Sequence, residues 1–308
     1  MAALTSETIQ WLKTMPILSA WLESFNQRMG REGVPHVGRP LRAWSEWCRE
    51  TGESFEVDHP KAKQIFQWFE SRSPADSLYL PSVFTGAFYF DAYFWPVHIP
   101  IMYGTQMLEG RDALSNMPPI TKERLFGSTD DLENFKALWA DCLDYGHGLR
   151  DLNLAREMLA AFAGVGVAYF WQRLVVSGDR KLRSAVEDLC EQRPGANAMQ
   201  SSREACEMSL KAFLARDDGL TEDDARKNFG HDLSKLLERI LQITPNNQIF
   251  SEAKGKLNSF PNVGDRYAGK TYHDSDLWDA YKVAQAVAAE VIRAFTKRNT
   301  RGRIATRF

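Results

Sequence analysis

Residues 205–214, Ala-Cys-Glu-Met-Ser-Leu-Lys-Ala-Phe-Leu, carry a clear helical pattern. The apolar residues among them recur at spacings of three and four, as Leu210, Phe213 and Leu214 illustrate. This period puts them on one face and predicts a helix over residues 196–216. The same helical periodicity dominates the whole chain, so that the sequence predicts an all-α protein.

Further helices are predicted on both sides of this segment. Ser128 is a good N-cap, acidic residues follow it, and the helix that it opens is expected to end at Gly146. The other predicted helices cover residues 149–176, 179–192, 231–243, 248–259 and 274–295. Strand signals are scarce, and only the short apolar segments 55–57 and 82–90 are candidates for extended structure.

The composition describes a folded protein of nearly neutral charge. Of the 308 residues, 44% are apolar and 25% are charged, both ordinary values for a globular protein. The 38 basic residues oppose 40 acidic ones, which argues against a globally basic nucleic-acid binder but leaves room for a local phosphate site. Nine Trp, 18 Phe and nine Tyr can build a large core, so global disorder is excluded.

We expect a cytoplasmic protein that has no secretory signal and no contact with a membrane. Residues 1–14 suggest an amphipathic helix without a cationic region ahead of an apolar one. The longest apolar run, 158–171, has 14 residues, whereas a spanning helix needs roughly 20. The four cysteines have no close spacing, and we expect them to be free thiols.

Three patterns in the C-terminal third resemble the HEPN superfamily and follow one another in the right order. The first is the segment 205–214, with a small residue, Glu and then Leu-Lys-Ala. The second is Gly-His-Asp-Leu at 230–233, which opens a helix and is similar to the superfamily's His-Asp-Leu signature. The third is Asp-Arg-Tyr at 265–267, ahead of a last helix with recurring alanines. Together they cover about residues 195–296.

The resemblance implies an up-and-down helical bundle that often dimerises. We expect this HEPN-like domain at 194–296, after the Arg-Pro-Gly break, packed on a larger helical region of unassigned role at 1–193. A basic tail, 297–308, is expected to be solvated and frayed, or alternatively to act as an arm for phosphate. Many superfamily members are metal-independent ribonucleases of toxin–antitoxin or antiviral defence systems, and others bind nucleotides or protein partners without catalysis.

HEPN ribonucleases carry an Arg that is followed, after four to six residues, by a His. The guanidinium can hold a scissile phosphate, and the imidazole can move a proton at the ribose 2′-OH or the leaving 5′-oxygen. Arg266 and His273 fit this spacing before the final helix, and we expect them to be the catalytic pair. Arg226 and His231 form a reserve pair, in which His231 alternatively caps or orients a helix start. Because the nucleophile belongs to the RNA, no metal and no cofactor is expected.

Residues 264–271, Gly-Asp-Arg-Tyr-Ala-Gly-Lys-Thr, match the P-loop expression GxxxxGK[ST]. A P-loop needs a buried strand before it, and residues 258–263 contain a proline and few strand formers, so we interpret the match as coincidence. Positively charged residues nevertheless cluster in this loop, just before the start of a predicted helix. Both the charge and the N-terminus of the helix favour the binding of a phosphate group. The expected phosphate-binding residues are Gly269, Lys270 and Thr271.

Two classes of function therefore remain open from the sequence. One is a ribonuclease, and the other is a non-catalytic sensor or adaptor that binds a nucleotide or a protein partner through the loop 264–273. The expected partners are RNA or a nucleotide, a second copy of the chain through the HEPN-like bundle, and an antitoxin or defence component. The aromatic residues between 88 and 95 are expected in the core, or alternatively as an exposed platform for bases or a partner.

Overall fold

A computed structural model describes most of the chain, in two compact units. The described residues are 6–32, 34, 38–56, 59–70, 82–101, 110–155, 169–191, 194–261 and 271–301, of which 6–17 and 70 are described by their backbone alone. The described residues from 6 to 70 belong to the first unit, and those from 82 to 301 belong to the second.

Helices make up most of the described chain, which confirms the predicted all-α class. The first unit contains α1 (Ser6–Arg31), α2 (Arg39–Thr51) and α3 (Pro60–Glu70). The second begins with a hairpin of strands β1 (Phe84–Phe90) and β2 (Tyr93–Ile99). Its helices are α4 (Gly110–Ala113), α5 (Pro119–Gly127), α6 (Thr129–Asp151), α7 (Phe170–Leu189), α8 (Ala196–Asp217), α9 (Glu222–Asp224), α10 (Leu233–Ile243), α11 (Gln248–Gly255) and α12 (Asp274–Thr296). None of these described helices combines the length and the apolar character that crossing a lipid bilayer requires.

The first unit is held together by aromatic rings between its helices. Trp44 on α2 is fully buried and stacks on His59 with ring centroids 5.2 Å apart. Trp21 on α1 meets Trp47 on α2 edge to face, also at 5.2 Å. Such ring pairs stabilise the association of the helices in addition to the effect of the apolar area that they bury. Some of the many aromatic residues of the chain therefore form the core of this unit.

The second unit is a helical bundle in which α8 and α12 are central. α8 packs along α7 and α12, and α12 packs in turn on α6. Leu210 on α8 and Val287 on α12 are fully buried, as the helical period predicts. Because α7 packs along α8, this unit contains residues on both sides of the boundary predicted at 193/194. That the bundle is of the HEPN type stays a prediction.

The predicted end of α6 at Gly146 is wrong, since the helix continues to Asp151. Gly146 is needed for close packing, because a Cβ there would lie 2.9 Å from the Cβ of Phe84 on β1. The true end is made by Asn153, whose φ of +57° lies in the left-handed region. The next N–H, that of Leu154, donates to the carbonyl of Leu149 at 2.8 Å and closes the helix.

The predicted helix over 149–176 is consequently wrong as a continuous element. α6 has ended before residue 152, and α7 begins only at Phe170. The predicted separate helix at 179–192 forms the later part of α7. Residues 156–168, which contain most of the long apolar run, lie outside the described residues.

The extended segment predicted at 82–90 is one strand of a hairpin, and its partner β2 was not predicted. The turn residues Asp91 and Ala92 have φ values of +55° and +62°, as a two-residue type I′ turn requires. Ala87 N–H points away from β2 and donates to the hydroxyl of Tyr281 at 3.1 Å. Pro96 faces Ala87 and has no N–H, which a non-hydrogen-bonded pair tolerates.

The hairpin also divides the aromatic cluster predicted for the core. Phe88 is buried and meets Phe135 of α6 edge to face at 5.2 Å. Tyr93, next to the turn, is 66% exposed. The cluster is therefore core at one end of the hairpin and surface at the other.

The first part of the predicted basic tail is bound to α6. Arg301 donates to the two carboxylate oxygens of Asp141 at 2.9 and 2.7 Å. Thr300 N–H donates to Asp144 at 2.9 Å, and Arg298 donates to Asp151 at 2.8 Å. The expectation of a frayed tail is wrong for residues 297–301, because these pairs fix them. Residues 302–308 lie outside the described residues.

Candidate functional site

The C-terminal helices gather three ionisable side chains around one buried carboxylate. Glu207 on α8 is fully buried, and its Oε1 accepts a hydrogen bond from Lys211 Nζ at 2.8 Å. Its Oε2 lies 3.5 Å from Arg203 Nη1. His231 Nδ1 lies 3.1 and 3.0 Å from the two carboxylate oxygens. We call these four residues the Glu207 cluster.

Helix geometry explains three members of the Glu207 cluster. Arg203, Glu207 and Lys211 follow one another at intervals of four residues, so they project from one face of α8. The fourth, His231, comes from the loop that precedes α10. The cluster therefore exists only when this loop is packed against α8.

The two cations of the Glu207 cluster also hold the loop that carries His231. Lys211 Nζ donates to the carbonyl of Gly230 at 2.6 Å, and Arg203 Nη2 donates to the carbonyl of His231 at 2.6 Å. Gly230 has a φ of +53° and a ψ of −118°, a conformation open mainly to glycine. Because two successive carbonyls are bonded, the imidazole of His231 is held against Glu207.

Positive charge exceeds negative charge in the Glu207 cluster before His231 is counted. Arg203 and Lys211 are only 5% and 7% exposed, and they flank the single carboxylate of Glu207. Burial of these charges is tolerated because they are paired and hydrogen-bonded. Arg203 Nη1 is buried beside Glu207 Oε2 and forms an ion pair with it but no hydrogen bond among the described residues. The cluster is thus suited to an anionic ligand.

A pocket of about 440 Å³ opens beside the Glu207 cluster. Arg203 and His231 line it together with Phe229, Phe260 and the first turn of α10. The side chain of His231 is 57% exposed, and with Nδ1 at Glu207 its other nitrogen, Nε2, is left for a ligand. The pocket has the size of ordinary small-molecule sites.

The acid at the start of α10 has a structural role. The side chain of Asp232 accepts a hydrogen bond from the N–H of Lys235 at 3.1 Å and caps the helix. The capping role that the sequence offered as an alternative for His231 thus belongs to its neighbour. The side chain of His231 does not cap the helix.

The structure does not bring Arg226 to His231, the reserve pair predicted from sequence. Arg226 lies in a π-helical turn, Ala225–Phe229, is 76% exposed, and pairs with Asp223 at 3.2 Å. His231 instead meets Glu207. Among the described residues no hydrogen bond or ion pair joins Arg226 to His231.

Sequence reasoning missed Arg203, Glu207 and Lys211 as site residues. The available signal was their spacing of four within a helix whose other residues are largely small or apolar. Charges that fall on a buried helix face must be paired, so this spacing could have marked α8 as carrying a polar site. The partner from the loop, His231, could not have been assigned in the same way.

The favoured pair, Arg266 and His273, is described at one member only. His273 is exposed at the N-cap of α12, where its backbone N–H donates to Asp276 at 3.0 Å. Arg266 lies outside the described residues, as do Gly269 and Lys270 of the predicted phosphate site. Thr271, the third residue of that site, is exposed. These assignments stay predictions.

Comparisons with known proteins leave the site to be interpreted from its own geometry. No family model, no curated protein and no solved structure matches the chain. Within the described residues no group of three or more His, Cys, Asp or Glu side chains is arranged to hold a metal ion. The HEPN resemblance therefore rests on the three sequence patterns.

Proposed function

We propose that the protein is a HEPN-like, metal-independent endoribonuclease that acts in the cytoplasm as part of a toxin–antitoxin or antiviral defence system. The observation that supports this proposal is the contact between His231 Nδ1 and the buried carboxylate of Glu207, at the edge of a pocket. The segments 205–214 and 230–233, which carry two of the three HEPN patterns, are the segments that make this contact.

RNA brings its own nucleophile, so the protein has to supply a proton carrier and positive charge. The 2′-oxygen attacks the adjacent phosphorus, the bond from phosphorus to the 5′-oxygen breaks, and a 2′,3′-cyclic phosphate and a 5′-hydroxyl result. His231 Nε2 would take the proton of the 2′-OH or give one to the leaving 5′-oxygen. Glu207 would orient the ring, while Arg203 attracts the phosphate.

A complete cycle moves protons at two oxygen atoms, one on each side of the phosphorus. One imidazole in the Glu207 cluster serves one of them. The homodimer implied by the HEPN resemblance would supply the second from the other copy. An antitoxin or another defence component would then act by covering this pocket or by separating the copies.

Arg226 has no role in this proposal, because it pairs with Asp223 on the surface. Arg266 and His273 remain the competing catalytic pair, with Gly269, Lys270 and Thr271 as their phosphate site. The two assignments differ in which histidine is required. They are therefore separable by substitution of single residues.

The test is cleavage of labelled RNA by the full-length protein in EDTA, with His231→Ala, His273→Ala and Arg226→Ala variants. We expect His231→Ala to lose activity by about 100-fold or more, the usual contribution of a positioned acid or base. Arg226→Ala and His273→Ala should retain activity. Far-UV circular dichroism and thermal unfolding check that each variant is folded.

Other outcomes discriminate between the alternatives. Loss of activity in His273→Ala with retention in His231→Ala would overturn the assignment to the Glu207 cluster and favour Arg266/His273. Absence of cleavage by the wild type would overturn the ribonuclease proposal. Thermal stabilisation by a nucleotide would in that case favour the alternative, a non-catalytic nucleotide-binding sensor or adaptor.

A further inference from the structure

The pocket beside the Glu207 cluster has an apolar part that proton transfer does not use. Phe229, Leu257 and Phe260 line this part, and Arg203 and His231 line the same pocket. Phe260 is 8% exposed, and Phe229 is half-buried. The pocket therefore offers a ligand both aromatic surface and positive charge.

Both aromatic residues are held by short hydrogen-bonded turns. Phe229 ends the π-helical turn, in which Gly230 N–H donates to the carbonyl of Ala225 at 3.1 Å. Phe260 follows a 3-10 turn, Leu257–Ser259, and its N–H donates to the carbonyl of Leu257 at 3.1 Å. The turns hold the backbone of Phe229 and Phe260 close to the charged residues of the pocket.

The charged part of the pocket suits one phosphate. Arg203 is nine-tenths buried and lines the pocket, and His231 presents its second ring nitrogen. The first turn of α10, at Leu233, also lines the pocket, and N–H groups at a helix start have no acceptor within the helix. The carboxylate of Asp232 is engaged by the N–H of Lys235 and lies 3.9 Å from its Nζ, which offsets its charge.

We infer that Phe229 and Phe260 form a nucleobase subsite, so that the pocket binds one unpaired nucleotide. The phosphate lies at Arg203 and His231, and the base lies against the phenylalanines, since aromatic rings stack on every base. The identification of the ligand as part of an RNA rests on the proposed function. A base that is paired within a duplex cannot enter, and the site consequently selects single-stranded segments.

Two small ligands that differ only in the base provide the test. Calorimetric titration of the full-length wild type with adenosine 5′-monophosphate and with ribose 5-phosphate isolates the contribution of the base. We expect the nucleotide to bind about 5- to 150-fold more tightly, the range that stacking of one base supplies. This comparison needs no variant, so it stands whether or not a substituted chain folds.

The Phe229→Leu variant tests whether the aromatic ring of Phe229 causes the preference for the nucleotide. Leucine keeps an apolar side chain but cannot stack, so the variant should lose most of the preference for the nucleotide and keep its affinity for ribose 5-phosphate. Phe94→Leu, which removes a half-buried ring of β2 outside the pocket, should behave as the wild type.

Equal affinities of the wild type for the two ligands would overturn the subsite, as would an unchanged preference in folded Phe229→Leu. The measurement does not require cleavage. A base-dependent affinity in a protein that cuts no RNA would leave the subsite intact and refute only the ribonuclease proposal. Cleavage without base-dependent binding would refute the subsite alone.

Discussion

His231 Nδ1 lies 3.0 Å from Oε2 of Glu207, a fully buried carboxylate that stands 24 residues earlier in the chain. The same carboxylate balances the charges of Arg203 and Lys211. Glu207 therefore has two tasks, since it orients a histidine and neutralises two buried cations. Its effect on stability can be measured separately from its role in the proposed catalysis.

We predict that Glu207→Gln lowers the free energy of unfolding by about 3 kcal/mol, because it leaves two buried cations without their counter-charge. Glutamine keeps the shape of the side chain, so the loss reports charge and not volume. Urea denaturation gives the value. Glu222→Gln is the control, since Glu222 is 69% exposed in its ion pair with Arg173, and the expected loss is below about 1 kcal/mol. Equal losses in the two variants would contradict the prediction.

Arg293→Lys should be destabilising although the charge is kept. The guanidinium of Arg293 is 4% exposed and joins α12 to α6 through Asp141 at 2.6 Å and Asp144 at 2.7 Å. An ammonium group lacks the planar fork that reaches both carboxylates, and breaking such a buried network costs about 3 kcal/mol.

The matched control for Arg293→Lys is Arg239→Lys. Arg239 likewise makes two hydrogen bonds to carboxylate oxygens, but both belong to Asp218 and the side chain of Arg239 is 45% exposed. Its replacement should cost less than about 1 kcal/mol. The two variants are compared by the midpoints of their urea unfolding curves. A similarly small shift of the midpoint in both would show that the buried network contributes little to stability.

Gly148→Ala should destabilise the packing of α6 on α12. A Cβ at this position would overlap Cγ2 of Ile292, and overpacking of this kind costs about 1–3 kcal/mol. Gly127→Ala is the control, because a Cβ there meets nothing within 4 Å, and it should be neutral or slightly stabilising. The measurement is the melting temperature of each of the two variants relative to the wild type. A neutral Gly148→Ala would mean that the two helices are packed less closely.

Stability should fall in mildly acidic solution through His147. Burial lowers the pKa of His147 to about 4, and Arg298 and Arg150 add to the effect. An unfolded histidine titrates near about 6.5, so between these values the unfolded chain binds a proton that the folded chain does not. The free energy of unfolding then decreases by up to about 3 kcal/mol as the pH drops from 6.5 to 4, and is unaffected by this group above 6.5.

His147→Gln tests this linkage. The variant should show a shallower loss of stability between pH 6.5 and 4 than the wild type in urea titrations. At pH 8 the proton is absent from both states, and the two proteins differ there only by the packing of the side chain. An identical pH dependence in the variant would exclude His147 as the source.

Local chemistry made much of the helical architecture predictable. The helix over 196–216 and the cap at Ser128 depend on residues within a few positions of one another, and α8, α6 and α12 begin where the sequence indicates. Long helices with strong periodicity reveal themselves because the period of 3.6 residues is a property of the segment alone. The ends of helices were harder to predict from the sequence, since Gly146 packs against Phe84 and does not end α6.

The partner of His231 was decided by the tertiary structure. Spacing along the chain pointed to Arg226, five residues before it, yet that side chain turns to Asp223 on the surface. The observed partner, Glu207, comes from another helix, and the two meet because Arg203 and Lys211 bind the carbonyls of the loop. Proximity in sequence does not determine which side chains face each other across a packed interface. Local periodicity therefore predicted most of the long helices, whereas the packing of a loop on α8 decided which side chains form the site. The physical reason is that a buried carboxylate must be paired with cations, and only the tertiary structure determines which cations lie beside it.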